Sequence, residues 1–145
     1  MEPPKIKHLV ITGGGTVILN AYGALREANR QGIWEYESIE AFYGTSAGSI
    51  LSLMLALNYP WITLDKYLIS RPWKTLFNFG SINLYECYSS NGILDGQFFY
   101  ETFTPLMRGK DIDINITFRQ FYELTGKELY FYTLNLNTFK TVELS

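Results

Sequence analysis

One cysteine and one histidine are all that 145 residues contain of the two side chains most versatile in metal binding and covalent chemistry. A lone Cys87 forms no intrachain disulfide and matches no metal-ligand spacing, so a reducing compartment is the default and no metal or other cofactor is expected. Basic excess is missing too: 12 Lys and Arg against 14 Asp and Glu leave a formal charge of -2, with no stripe that would neutralise phosphates along a nucleic acid. The most apolar run, "ILSLMLALNYPWI", is too short to cross a bilayer and is interrupted by Ser52, Asn58 and Pro60. The opening "MEPPKIKHLV" lacks the sustained apolar segment of a signal peptide. Internal repeats, low-complexity tracts and linkers rich in Pro, Gly and Ser are also missing. What remains is 47% hydrophobic and 18% charged, enough to bury a core as one globular domain over 1–145, with the cytoplasm as its expected compartment.

The pattern along the chain is strand, glycine turn, helix, twice over. "IKHLVIT" is a short β-branched run that ends at "GGG" and reads as a buried strand entering a tight turn. In "LNAYGALREANRQG", Leu19, Tyr22, Ala24, Leu25 and Ala28 fall near helical spacing, with Gly32 as the stop. "IEAFYG" is a second strand, and "AGSILSLMLALN" a helix apolar nearly all round, hence buried. Such units favour parallel strands joined by crossover helices. Downstream, "TLDKYLISRPWKTLF" and "DGQFFYETFTPLMRG" look helical with breaks near Pro72 and Pro105, and "TFRQFYELTG" is a short helix capped by Thr117 and Gly126. "ELYFYTLNLN" and "KTVELS" read as strands joined by a turn around Asn137 and Thr138. The expected fold class is α/β with a mainly parallel sheet. An apolar strand running to Ser145 without a cap suggests that the fold continues beyond it.

Between the second strand and the buried helix lies Gly44-Thr45-Ser46-Ala47-Gly48. In such an elbow the serine occupies a sharp turn and the glycines let the backbone double back, which holds Oγ in the open. The following helix N-terminus offers unpaired N–H groups to a developing oxyanion. Ser46 is therefore a candidate nucleophile; the competing reading is a tight turn in which it merely caps a helix. The earlier "TGGGT", residues 12 to 16, also joins a strand to a helix, so the backbone N–H groups of Gly13, Gly14 and Gly15 are a candidate oxyanion hole. A phosphate-binding loop would need a lysine opening the helix, where "TVILN" has none. A dinucleotide fingerprint would need glycine where Ile18 stands. A tight turn without a ligand is the third alternative.

The proton acceptor is harder to find. His8 lies upstream, inside the first strand, and reads as structural, so a Ser-His-Asp triad is disfavoured. A carboxylate acting directly on the serine remains. Asp95 falls where a helix opens and reads as a cap, while Asp111 and Asp113 in "GKDIDIN" read as solvated. None is assigned the role.

Together, "GGG" after the first strand, "GALREANRQGIW", "YGTSAGS" and "GILDGQFFYETF" resemble the N-terminal and central part of a patatin-like phospholipase domain, over essentially the whole chain. The resemblance implies a three-layer α/β/α sandwich, here incomplete at its C-terminal side. It also implies cleavage of lipid acyl esters by a Ser-Asp dyad without histidine or metal. Ser46 would be the nucleophile and the backbone of Gly13 to Gly15 the oxyanion hole. The aspartate of the family lies in an Asp-Gly-Gly or Asp-Gly-Ala segment that this chain does not contain, so the chain alone is expected to be inactive. The family also carries Arg or Lys two residues after the glycines, then glycine; here Val17 and Ile18 take those places. The partner implied is a lipid or phospholipid, with peripheral contact at a membrane through aromatic segments such as "NYPWITLDKYL" and "RPWKTLFNFG". The rival expectation is a non-catalytic lipid-binding or interaction domain that keeps the fold with a degraded site.

Overall fold

The computed structural model describes residues 5–73 and 96–145. Cys87, Asp95 and most of "RPWKTLFNFG" lie outside the described residues. In chain order the elements are β1 (His8–Ile11), α1 (Ile18–Arg30), β2 (Ala41–Thr45), α2 (Ala47–Ala56), α3 (Trp61–Ser70), α4 (Gly96–Arg108), α5 (Phe118–Thr125), β3 (Glu128–Asn135) and β4 (Lys140–Leu144), with short 3-10 turns at Gly15–Val17 and Tyr36–Ser38. They form two compact units, one joining Met1–Tyr59 to Ile116–Ser145, the other Pro60–Asn115.

The first unit holds a four-stranded sheet in the order β1-β2-β3-β4, parallel from β1 to β3 and antiparallel in the closing hairpin. This is the α/β architecture with a mainly parallel sheet that the strand-turn-helix pattern implies. Register places Val10 beside Tyr43 and Tyr43 beside Tyr130, so side chains of like parity form rows across the strands. One face carries Leu9, Phe42 and Leu129, all buried, and α2 packs across β1, β2 and β3. Helix α2 is apolar enough to be buried on most sides, burying Leu51, Met54, Leu55 and Ala56. Its polar interruption, Ser52, is fully buried but satisfied, because Oγ donates to the Tyr43 carbonyl at 3.3 Å. On the other face the Tyr43 and Tyr130 rings stack at 4.8 Å, His8 lies 5.8 Å from Tyr43, and Val10 is 76% exposed. His8 is thus an aromatic neighbour on the sheet, consistent with its structural reading.

Helix ends follow local chemistry. Gly32 adopts a positive φ of 71° after α1, and the Gly32 N–H to Asn29 and Ile33 N–H to Ala28 bonds close the last turn. Thr117 and Gln120 form a capping box at the start of α5, and Gly126 ends it in the left-handed region. The hairpin turn is set by Asn135, whose Oδ1 accepts from the N–H groups of Asn137 and Thr138. In α1 the side that turns inward centres on Tyr22, whereas Leu19, in the first turn beside the glycine loop, stays 54% exposed.

The second unit pairs α3 with α4, and here a sequence expectation fails. Proline at 105 removes an amide donor and should break a helix, yet α4 runs through it to Arg108. The carbonyl that Pro105 leaves unpaired is that of Glu101, and Arg71 donates to it from Nη2. Tyr67 OH donates to the next carbonyl, that of Thr102, and the Arg71 guanidinium lies 4.9 Å from the Tyr67 ring. Arg71 thus replaces the bond that the proline removes, and Tyr67 adds a second on the adjoining turn.

Candidate active site

Ser46 occupies the junction of β2 and α2 with φ 53° and ψ -129°, a strained combination for a residue bearing a Cβ. The strain is held by close backbone contacts on three sides. A Cβ on Gly44 would lie 2.6 Å from Ser49 Cα, and one on Gly48 would overlap the Ile11 carbonyl and come within 2.7 Å of that of Thr12. Both glycines are obligatory for steric reasons, because α2 starts directly against the ends of β1 and β2. Ser46 is exposed, and its side chain makes no capping hydrogen bond to α2. Merely capping the helix is therefore not the arrangement found, and the hydroxyl is left available.

The glycine loop comes to the same place. A Cβ on Gly13 would sit 2.9 Å from Ser46 Cβ and 3.6 Å from Ser46 Oγ, so the Gly13 backbone lies against the serine side chain. Gly15 takes a left-handed φ of 55°, and the Val17 N–H donates to the Gly14 carbonyl, closing the 3-10 turn that leads into α1. The loop is as bare as its sequence implies: Gly14 and Gly15 are exposed. Beside it Thr45 Oγ1 donates to the Tyr132 carbonyl at 3.0 Å and ties the end of β2 to β3.

Register and unit place the other histidine and carboxylate candidates. His8 pairs in register with Ala41 at the opposite end of the strands, roughly 15 Å of extended chain from Ser46. Asp111 and Asp113 belong to the Pro60–Asn115 unit. Among the described residues no group of three or more His, Cys, Asp or Glu side chains comes together as a metal site would need. Among the same residues no helix is long and apolar enough to cross a membrane.

The family model described as patatin-like phospholipase matches residues 9–144. The chain belongs to the patatin-like phospholipase family. Its elbow and glycine loop fall within that match, at the ends of the two strands that open the fold. Among curated relatives, this patatin-like chain is 29% identical over 152 residues to a probable lipid hydrolase, 463L, of Invertebrate iridescent virus 6, across 97% of the chain and 47% of the relative. It is 28% identical over 137 residues to the uncharacterized protein R571 of Acanthamoeba polyphaga mimivirus, across 94% of the chain and 44% of that relative. The chain therefore spans about half the length of these relatives. No solved structure matches it significantly.

Sequence reading missed two groups that the fold brings into play. Lys127 looks like an ordinary charged residue before a strand, yet it is 8% exposed, with Nζ donating to the carbonyls of Tyr36 at 3.0 Å and Ile39 at 2.5 Å. Burial pushes its pKa down, partly opposed by the carboxylates of Glu37 and Glu40. Arg71 is the second. The unmet acceptor left by Pro105 was a signal that a donor was needed, but sequence spacing does not name it.

Proposed function

We infer that this domain is the nucleophile-bearing part of a serine acyl hydrolase acting on lipid esters. Ser46 Oγ attacks the ester carbonyl, and the negative charge that develops on oxygen is met by backbone N–H groups of Gly13 to Gly15 and of the α2 N-terminus. The tetrahedral intermediate collapses with loss of the alcohol, leaving an acyl-serine, and water then releases the fatty acid and restores the hydroxyl. The base that takes the serine proton and later activates water is the aspartate of the family's Asp-Gly-Gly or Asp-Gly-Ala segment, which residues 1–145 do not include. The observation that carries this reading is the contact of Gly13 with a strained, uncapped Ser46. Family membership and the relative named a probable lipid hydrolase support a lipid substrate. So do Val17 and Leu19, 62% and 54% exposed directly after the glycine loop, which give the site an apolar rim.

Val17 also favours the second reading, a lipid-binding domain without catalysis, because the cation of the family is missing there. Backbone donors need no particular side chain, and loss of one oxyanion donor costs about 2.7–4 kcal/mol in the barrier, which slows acyl transfer without abolishing it. Labelling with a fluorophosphonate separates the readings, since only an activated serine reacts. In the full-length protein the adduct is expected on Ser46. A full-length protein that leaves Ser46 unlabelled, while binding lipid vesicles, is a binding domain.

A further inference from the structure

The polar connection "GKDIDIN", whose Asp111 and Asp113 are exposed as the sequence suggests, lines an open cavity of about 450 Å³ in the second unit. Its lining includes Tyr100, Thr104 and Arg108 from α4 and Asp111, Asp113 and Asn115 from the loop that follows. A cavity of this size falls within the range of small-molecule sites. Its charges are mixed: one guanidinium and two carboxylates share the wall. Among the described residues no ion pair joins Arg108 to Asp111 or Asp113. Asp113 Oδ1 is occupied, accepting from the Asn115 N–H at 2.8 Å and from its side-chain amide at 3.1 Å. Arg108 and Asp111 keep their full donor and acceptor capacity.

The backbone brings the residues that carry these groups onto one turn. After α4 the Asp111 N–H donates to the Arg108 carbonyl and the Ile112 N–H to that of Met107, with Asp111 in the left-handed region at φ 57°. Arg108 and Asp111 are therefore carried on one closed turn, with their exposed side chains open to a ligand. A lone anion on Arg108 would meet two carboxylates, and a lone cation at Asp111 would meet the guanidinium. A ligand carrying both signs meets an opposite charge at each end.

We propose that this cavity binds a compact zwitterion, its phosphate or carboxylate on Arg108 and its ammonium between the Asp111 carboxylate and the Tyr100 ring. Arg supplies the forked donors that suit phosphate, and a tyrosine face attracts quaternary ammonium. The site draws only on residues of the Pro60–Asn115 unit and does not depend on the chemistry assigned to Ser46.

The experiment is a titration of the isotope-labelled full chain with phosphocholine, followed by amide shifts, with inorganic phosphate and tetramethylammonium as one-sign controls. Phosphocholine is expected to shift the amides of residues 108 to 115 saturably and to bind more tightly than either control. Arg108→Gln and Asp111→Asn should each weaken it by roughly tenfold or more, since each removes a charged hydrogen-bond partner. Asparagine tolerates the left-handed φ at 111, so that variant keeps the turn. No saturable shift, equal binding of phosphate and phosphocholine, or two variants that bind like the parent would each overturn the proposal. Competition by phosphatidylcholine vesicles assigns the site to a lipid headgroup; if vesicles do not compete, the ligand is a free zwitterion, and either result upholds the site. Ser46→Ala should leave the titration unchanged, so failure here and failure of the hydrolase reading are separable.

Discussion

The two ends of the parallel strands are built in opposite ways. At the N-terminal end, side chains close backbone groups: Lys127 caps the carbonyls of Tyr36 and Ile39, and Tyr36 OH donates to that of Ala56 at 2.7 Å. Backbone closes the rest, with the Glu40 N–H donating to the Lys7 carbonyl and the Glu128 N–H to that of Glu40. At the C-terminal end one such bond, Thr45 Oγ1 to the Tyr132 carbonyl, ties β2 to β3. There the chain turns on glycines, Ser46 is held at a positive φ, and its hydroxyl makes no cap. One end uses buried polar bonds to fix the strands, and the other uses that rigidity to hold a strained turn open. Under the proposed function, stability and chemistry are separated by the length of the sheet, and substitutions at the two ends should divide accordingly.

The sharpest division is expected from Ser46→Ala in the full-length protein. Ester hydrolysis should fall on the order of a millionfold, the loss seen when a serine nucleophile is removed. The melting temperature should stay where it was or rise, because the strained position keeps only a smaller side chain. Hydrolysis that survives the change would remove Ser46 from the mechanism and with it the functional half of the contrast.

Gly13→Ala tests the same end more gently. The new methyl would meet Ser46 Cβ at 2.9 Å and the Thr45 carbonyl at 3.2 Å, and because Cβ moves only with its backbone, the elbow or the glycine loop must shift. Misplacing a reacting group by about 1 Å costs about 10²-fold in rate. Turnover should drop by up to that order, with a smaller loss of thermal stability from the backbone shift. A stability loss as large as the activity loss would mean that the glycine serves packing and not the serine.

Lys127→Met is the mirror experiment. Removing Nζ orphans two carbonyls at the base of the sheet, which costs about 1–3 kcal/mol. Chemical denaturation should register that loss, whereas turnover per folded molecule should match the parent. A rate defect in Lys127→Met would show that the two ends are coupled.

The elbow and the glycine loop are legible in the sequence because their requirements are local. Gly44, Ser46 and Gly48 sit within five residues, and each glycine answers a collision with backbone nearby in the chain or at the end of the adjoining strand. Thr117 and Gln120, or Gly32 after α1, are equally local. Pro105 misleads because its remedy is not local: Arg71 reaches the Glu101 carbonyl from 30 residues away. Lys127 is opaque for the same reason, its acceptors lying 88 and 91 residues upstream. Arg108 and Asp111 lie close in sequence, but only the fold reveals that the two share a cavity without pairing. Motifs made of backbone shape can be read from a string; bonds that close over long loops cannot.

The smallest expected effect is a pH dependence at the base of the sheet. Burial, reinforced by the nearby Glu37 carboxylate, pushes the Tyr36 hydroxyl up to about 12. In the unfolded chain it titrates near 10. Between those values the folded state holds a proton that the unfolded state has released, so this stabilisation is complete below pH 10 and lost as pH rises towards 12. For a half-buried ring that difference, discounted for solvent screening, corresponds to about 1 kcal/mol. Lys127 works in the other direction, since its depressed pKa favours folding as pH climbs through the alkaline range. Tyr36→Phe keeps the ring beneath Lys127 and removes only the titrating hydroxyl and its bond to Ala56. Urea unfolding at pH 9 and pH 11.5 should therefore show the parent losing about 1 kcal/mol more than Tyr36→Phe over that interval. An identical loss in both proteins would mean that the alkaline limit is set elsewhere in the sheet, and that the base is held by Lys127 without a proton-linked contribution from Tyr36.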